Sequence, residues 1–254
     1  MAAMAHRVKL VVAYLGTQFH GWQRQSAQRT VQGELELAIR KLIGDSAAVV
    51  GAGRTDTGVH AAAQVAHVDL SAIIPPERLV RGLNLILDPA IQIRSARLAS
   101  SGFHARKSSR GKLYTYRAKW GSADLPWTGL RSARVRRIEN QSGLAAGAQL
   151  LIGKHDWASF TVPDPESEST IRDIFGVRLH PRHQGIDLEF VGNGFLRYQV
   201  RRMVGVLLEI GRGRRTVEDL RNLIEDPQPG AQIQTAPASG LTLERVYYRR
   251  SPLW

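Results

Sequence analysis

The sequence predicts an α+β protein in two halves, residues 1–105 and 106–254. In both parts of the chain, β-rich apolar runs alternate with stretches whose apolar residues recur at helical spacing. A polar, small and basic segment, residues 99–112, lies between them and is typical of a crossing between domains. We therefore predict two similar halves, each with an antiparallel or mixed sheet flanked by helices.

The first half is predicted to contain three strands and two helices. The strands are residues 8–15, 64–70 and 91–98, and the helices are residues 31–43 and 77–87. Thr30 is placed as an N-cap of the first helix and Gly44 as its stop, while Pro75 and Pro76 open the second helix.

The second half is predicted to begin with the strand KLYTYRAKW, on which Tyr114 and Tyr116 share one face by period two. A helix at 144–152, a hairpin made by DIFGVRL and GIDLEFV, and a helix over 195–211 follow.

The charge and the cysteine count limit the function. The chain carries +13 with a pI near 10.8, which favours a polyanionic partner, with nucleic acid first. It has no cysteine, which excludes a thiol nucleophile, a disulfide framework and Cys-ligated metal sites. The apolar run near the start is too short to span a membrane, so we expect no membrane association and a cytoplasmic location.

The stretch GAGRTDTGVHA, residues 51–61, places a single acid, Asp56, among glycines in this basic chain. A turn aspartate that caps the next segment and a functional acid both remain open. The glycine spacing does not match nucleotide-binding loops, and no Lys-Ser or Lys-Thr follows. Asp56, His60 and His67 lack the spacing of common metal sites, so no metal is expected.

Arg201 is predicted to lie at the edge of the apolar stripe of its helix, sharing a face with Arg197. A partly desolvated guanidinium needs a carboxylate, either in a structural ion pair or beside a catalytic acid. Gly205, one turn on, leaves room for another backbone or a ligand. Two exposed basic patches are also predicted, and each is either a solvated face or an RNA contact: Arg202, Arg212, Arg214 and Arg215; and Arg131, Arg134, Arg136 and Arg137.

Six segments together resemble the TruA family of tRNA pseudouridine synthases. They are FHGWQRQ (19–25), TVQGELE (30–36), GRTDTGVHA (53–61), FHAR with KLYTY (103–116), FLRYQVRRMVG (195–205) and ASGLTLERV (238–246). Their order and spacing are family-like, and they cover nearly the whole chain. The resemblance implies the pseudouridine synthase fold with a basic cleft, and an isomerase (an intramolecular transferase) that needs no cofactor. It also implies a homodimer that acts on uridines of the tRNA anticodon stem-loop, at positions 38, 39 and 40.

The resemblance also implies roles for individual residues. Asp56 matches the essential catalytic aspartate, Arg201 the arginine that pairs with it, and Tyr114 the tyrosine that stacks on the target uracil. Arg54 matches the residue that replaces the displaced base. Leu241 and Leu243 match the apolar segment near the pocket. RNA contacts are expected from Arg24, Arg54, Arg106, Lys112, Tyr114, Arg197 and Arg202.

The chain departs from the family pattern at LNLILDP (83–89) and at Arg197 and Tyr198, where the family often has histidines. Taken alone, Tyr114 is better explained as a core tyrosine on a strand. Two other functions remain: an RNA-binding module without catalysis, and a synthase of the same type acting on another RNA. Asp56 and Tyr114 both being present argues against the binding module.

Overall fold

The structure, a computed structural model, describes residues 6–44, 46–121, 129–164 and 168–249. These residues form two compact units. The first unit runs to Arg110 and also includes Leu243–Arg249, whereas the second comprises Gly111–Thr242. No helix in the described ranges is long and apolar enough to cross a membrane.

The first unit is a sheet with two helices. Its elements are β1 (His6–Tyr14), α1 (Val31–Ile43), β2 (Val49–Gly51), β3 (His60–Leu70), α2 (Pro76–Ile86), β4 (Ile91–Leu98) and most of β10 (Leu241–Tyr247). The strand order is β4-β1-β3-β10, with β2 also paired to β3, and the β1–β3 and β1–β4 pairs are antiparallel. Alternate residues of β1 are buried from Val8 to Tyr14, as expected for a strand with one face on the core.

The predicted caps explain where α1 begins and ends. The Thr30 side chain accepts a hydrogen bond from the backbone N–H of Gly33, and Gly44 takes the left-handed conformation with φ 83°. Leu35 and Ile39, one turn apart, are almost fully buried and anchor the helix on the core.

The second unit contains the remaining strands and helices. They are β5 (Gly111–Lys119), β6 (Ala133–Arg134), α3 (Gln141–Leu150), β7 (Gly153–Asp156), β8 (Ile171–Arg182), β9 (Gly185–Gly192), α4 (Gln199–Gly211) and α5 (Val217–Glu225). The antiparallel order is β5-β9-β8-β7, and β6 pairs in parallel with β5.

The predicted α+β fold class is confirmed, with differences in several elements, of which three follow. The helix predicted over 195–211 begins only at Gln199, because Tyr198 has φ 64° and a left-handed residue cannot continue a helix. The helix α5, which is started by a capping box between Thr216 and Asp219, was not predicted. The strand β10 was not predicted either, although its sequence lies in one of the motifs that carry the resemblance.

Candidate active site

Asp56 lies in the loop that joins β2 to β3. Its backbone carbonyl accepts a hydrogen bond from the N–H of Val59 at 3.1 Å, closing a four-residue turn. Gly58, the third residue of that turn, has φ 81°, a conformation that side chains rarely adopt. The Asp56 side chain is half-buried. Asp56 is therefore the first residue of a tight turn, and its backbone is fixed by that turn.

Buried side chains brace this loop from the core. The Tyr14 hydroxyl and Thr55 Oγ1 lie 2.8 Å apart, and the Thr55 carbonyl accepts the N–H of Trp22 at 3.1 Å. The Gln64 side chain donates to the carbonyl of Gly53 at 2.8 Å. Burial raises the pKa of the Tyr14 hydroxyl, so that group stays neutral at physiological pH. Gly53 and Thr55, which precede Asp56, are thereby held by the core.

The segment FHGWQRQ packs directly against the Asp56 loop. A Cβ atom at Gly21, which has φ 84°, would stand 2.6 Å from the Thr55 carbonyl oxygen, and one at Gly16 would overlap the carbonyl oxygen of Val59. The backbone N–H of Gly16 also donates to His60 Nδ1 at 3.1 Å. Only glycine permits this close approach of the two backbone segments.

The basic residues of these segments reach the surface. Arg54 is exposed, and its Nε donates to the side-chain oxygen of Gln23 at 3.1 Å. Arg24 is exposed and pairs with Glu36 at 2.9 Å. Both side chains are oriented by neighbours within the first unit.

The FHAR segment is fixed on the sheet of the first unit, and its Arg106 is exposed. The Ala105 N–H donates to His67 Nδ1 at 3.2 Å, and the Tyr248 hydroxyl donates to the Ala105 carbonyl at 2.8 Å. Burial, followed by the nearby Arg7 and His104, lowers the pKa of His67. A neutral His67 is what its acceptor role requires.

Tyr114 lies in β5 of the second unit, opposite Phe190. It is 6% exposed, and its ring meets that of Phe195 edge-to-face with centroids 5.2 Å apart. Tyr116, two residues on, is fully buried. The aromatic packing is that of a core residue, and a stacking role for Tyr114 stays a prediction. Lys112, also in β5, is half-buried.

Arg201 lies in the first turn of α4 and is half-buried, as the helical spacing predicted. Its Nε donates to the Ala236 carbonyl at 2.8 Å, and the Ala236 N–H donates to the Arg201 carbonyl at 3.0 Å. The guanidinium lies 5.3 Å from the centre of the Tyr198 ring. A Cβ atom at Gly205 would overlap the backbone oxygen of Gln234. The predicted close approach at Gly205 is thus made by the segment 234–236, which orients Arg201.

The predicted exposed patch around Arg202 is partly wrong. Arg202 is half-buried and donates to the Thr161 carbonyl at 2.7 Å. Arg215 is half-buried and bonds Glu209 at 2.6 Å. Arg202 is thus drawn inward by a carbonyl distant in sequence, and Arg215 by a carboxylate in the last turns of α4. Arg197, by contrast, is exposed.

Leu241 and Leu243 are buried in β10, at 4% and 0% exposure. The bracing residues Tyr14, Trp22 and Gln64 were not assigned a role from the sequence. The β1 alternation could have identified Tyr14 as buried, but not its bond to Thr55. Within the residues that the structure describes, no group of three or more His, Asp or Glu side chains could hold a metal ion.

Comparison with known proteins gives consistent matches. A family model described as tRNA pseudouridine synthase matches residues 10–106 and 147–249. The chain is 42% identical over 246 residues to a tRNA pseudouridine synthase A from Maridesulfovibrio salexigens, covering 95% of this chain and 90% of that protein. It is 40% identical over 256 residues to that of Leuconostoc citreum, covering 97% and 98%. A chain in a solved Cbf5-Nop10-Gar1 complex is more distant, with 10% identity, a TM-score of 0.37, and coverage of 79% of this chain and 45% of that one.

Proposed function

The chain belongs to the tRNA pseudouridine synthase family and is an isomerase that converts uridine to pseudouridine in tRNA; we propose that Asp56 is its essential acid. We also assign the anticodon stem-loop as its target region, at the positions given above. The observation that carries the assignment is the braced turn that holds Asp56, which lies within the matched residues 10–106.

The reaction needs few groups from the protein. The N1–C1′ bond of uridine breaks, the uracil turns, a C5–C1′ bond forms, C5 loses its proton and N1 takes one up. Because no outside atom other than this proton enters the product, one carboxylate can serve. Asp56 acts either as a nucleophile at C1′ or C6, or as the base that takes the C2′ proton. A turn fixed on the core keeps the carboxylate in place during these steps.

Three residues are assigned supporting roles. Arg201 pairs with Asp56 and favours its ionised form. Tyr114 stacks on the uracil after the uridine leaves its own stack, and Arg54 fills the gap left in the RNA; together they offset part of the cost of extrusion, which is a few kcal/mol. What supports these roles is the motif match, together with the fixed backbone of Arg201 and the exposure of Arg54. Leu241 and Leu243 are assigned to the apolar side of the uracil site.

The positive charge of the chain supports binding to the tRNA backbone. A charge of +13 attracts phosphates, and folded RNA is recognised mainly by shape and backbone. Further contacts are assigned to the remaining basic residues of the motifs: Arg24, Arg106, Lys112, Arg197 and Arg202.

A homodimer and a cytoplasmic location complete the proposal. The support for a dimer is the resemblance carried by the motifs, and the support for the cytoplasm is the tRNA substrate. Sedimentation of the purified chain with and without tRNA tests the dimer, and a monomer in both states would overturn it.

The test of the catalytic assignment is tritium release from tRNA that carries C5-tritiated uridine, since only the isomerisation frees that atom. Asp56→Asn should reduce release on the order of 10⁴-fold while tRNA binding is retained. Asp226→Asn, a change of the same type at an exposed residue after α5, is the control and should match wild type. Full release by Asp56→Asn would remove Asp56 from the mechanism. Pseudouridine mapped outside the anticodon stem-loop would keep the reaction and discard the target region.

A further inference from the structure

Two basic stretches that are distant in the sequence meet at the end of α4. The backbone N–H groups of Glu139 and Asn140 both donate to the Gly211 carbonyl at 2.9 Å. The side chain of Ile138 lies against the same glycine, 2.8 Å from where a Cβ atom would stand. This contact brings the residues just before Ile138 next to those just after Gly211.

The contact brings three arginine side chains near one another: Arg136, Arg212 and Arg214, which we call the arginine cluster. Within the described residues, their side chains make no hydrogen bond or ion pair to a carboxylate. Glu209, which attracts Arg212 electrostatically, is already bonded to Arg215 at 2.6 Å. Burial lowers the pKa of Arg212, and repulsion from Arg214 and Arg136 lowers it further.

Polar atoms on the side of the cluster that faces the protein interior also lack hydrogen-bond partners. Arg212 is half-buried, and its Nε is enclosed without an acceptor. The hydroxyl of Tyr116, which interacts electrostatically with Arg212, is likewise enclosed without a hydrogen-bond partner. Desolvated donors and like charges both cost free energy, and an anion at the cluster would offset the repulsion.

The backbone between the arginines leaves open space. Gly213 has φ 69°, and no other atom lies within 4 Å of the position that its Cβ would take. Apart from the neighbouring arginines, no side chain covers the main chain at Gly213, so a ligand can approach it there.

The end of a helix by itself favours one cation. Arg212 is the C-cap of α4, where the helix dipole attracts positive charge. The dipole effect is confined to the last turn of α4. It does not account for Arg136, which comes from the segment before Ile138. Neighbouring guanidinium groups suit a phosphate, which accepts paired N–H donors.

We propose that the arginine cluster binds a backbone phosphate of the tRNA. The identity of the polyanion rests on the proposed function, whereas the anion site rests on the contacts above.

The test is the salt dependence of tRNA binding by Arg212→Gln and by the double variant Arg136→Gln/Arg214→Gln, which changes only exposed side chains. Loss of one phosphate contact should make the plot of log K against log salt shallower by about 0.7–0.9, and should weaken binding at ~0.1 M salt roughly 3- to 10-fold. Arg221→Gln is the control, because its charge is already matched by Glu218 and Glu225 at 3.3 and 3.6 Å.

Shallower plots for both cluster variants, with the control unchanged, support the site. An unchanged plot for the double variant, or an equal change in Arg221→Gln, overturns it; the double variant decides the matter even where Arg212→Gln does not fold. Binding requires no turnover. A wild-type protein that releases no tritium but shows the cluster effect would therefore contradict the proposed function alone.

Inorganic phosphate separates the two sources of the anion. Compared with chloride at equal ionic strength, phosphate should raise the Tm of wild type more than that of Arg212→Gln. Stabilisation by phosphate together with an unchanged tRNA plot would assign the cluster to a free anion, and would overturn the RNA contact.

Discussion

The hydroxyl of Tyr14, at the end of β1, lies 2.8 Å from Oγ1 of Thr55, the residue before Asp56. The contact joins a core strand to the loop that presents the proposed catalytic acid. The carbonyl of the same threonine is held by the Trp22 N–H. Thr55 is thus fixed through both its backbone and its side chain, and with it the backbone that leads into Asp56.

We expect Tyr14→Phe to lower kcat roughly 10- to 100-fold with little change in tRNA affinity, because supporting residues of this kind contribute about that much. Its stability should fall by about 1 kcal/mol. Tyr248→Phe is a matched control that removes a hydroxyl bonded to Ala105 at 2.8 Å. It should lose similar stability and keep kcat at saturating tRNA. Equal kcat in both variants would assign the Tyr14 bond to stability alone.

Gly205→Ala should destabilise the protein by roughly 2–4 kcal/mol, because the new methyl group would overlap the Gln234 carbonyl oxygen. The same change at a typical helical position stabilises a protein by ~1 kcal/mol, so a loss of stability here would identify the overlap with Gln234. Urea denaturation measures the difference. Gly102→Ala, with no atom within 4 Å of the added carbon, is the control and should be near neutral. A stable Gly205→Ala variant would show that the segment 234–236 moves away from α4 at little cost in free energy.

Arg201→Ala should abolish turnover and lower the free energy of unfolding by roughly 1–3 kcal/mol, since it removes the bond to Ala236 and the proposed partner of Asp56. Arg201→Lys keeps the charge but lacks the Nε donor at that position. Turnover in single-turnover assays should rank wild type, lysine, then alanine. Normal turnover by Arg201→Ala would disprove the proposed pair.

Stability should fall as the pH drops through the range just below 6.5, because the folded state lowers the pKa of His67. The sign follows from proton uptake: between the folded and unfolded pKa values, the unfolded chain binds more protons. His67→Asn should flatten the dependence between pH 7.5 and 5.5, as measured by urea midpoints. His183→Asn, an exposed histidine in the hairpin between β8 and β9, should behave as wild type. A His67→Asn variant with the wild-type slope would assign the dependence to other groups.

Much of the local structure was predictable because its causes are local. Thr30 begins α1 through a side-chain hydrogen bond, and Gly44 ends it with a positive φ. Both properties follow from residue type. The position of Arg201 at the edge of a buried helix face follows from helical spacing alone. Asp56 in a glycine-containing turn also needed no distant information.

The unpredicted features depend on contacts between distant residues. No pattern near Tyr14 indicates a bond to Thr55, and none near Arg136 indicates an approach to Gly211. Arg202 was expected to be exposed because it points away from the face of Arg201, but the carbonyls of Ser159 and Thr161 draw it inward. Sheet neighbours posed the same difficulty, since period-two burial identifies a strand without naming its partners.

The first unit can be completed during translation only after β10 has been synthesised. Residues 243–247 lie beside β3, which is made almost two hundred residues earlier. A ribosome that has synthesised residues 1–110 has therefore produced every other strand of the first unit, while the part of one β3 edge that β2 does not pair lacks its neighbour. Unpaired strand edges recruit other chains. The first unit therefore stays incomplete until the second unit has been synthesised. A chaperone would be most useful to the nascent chain during that interval.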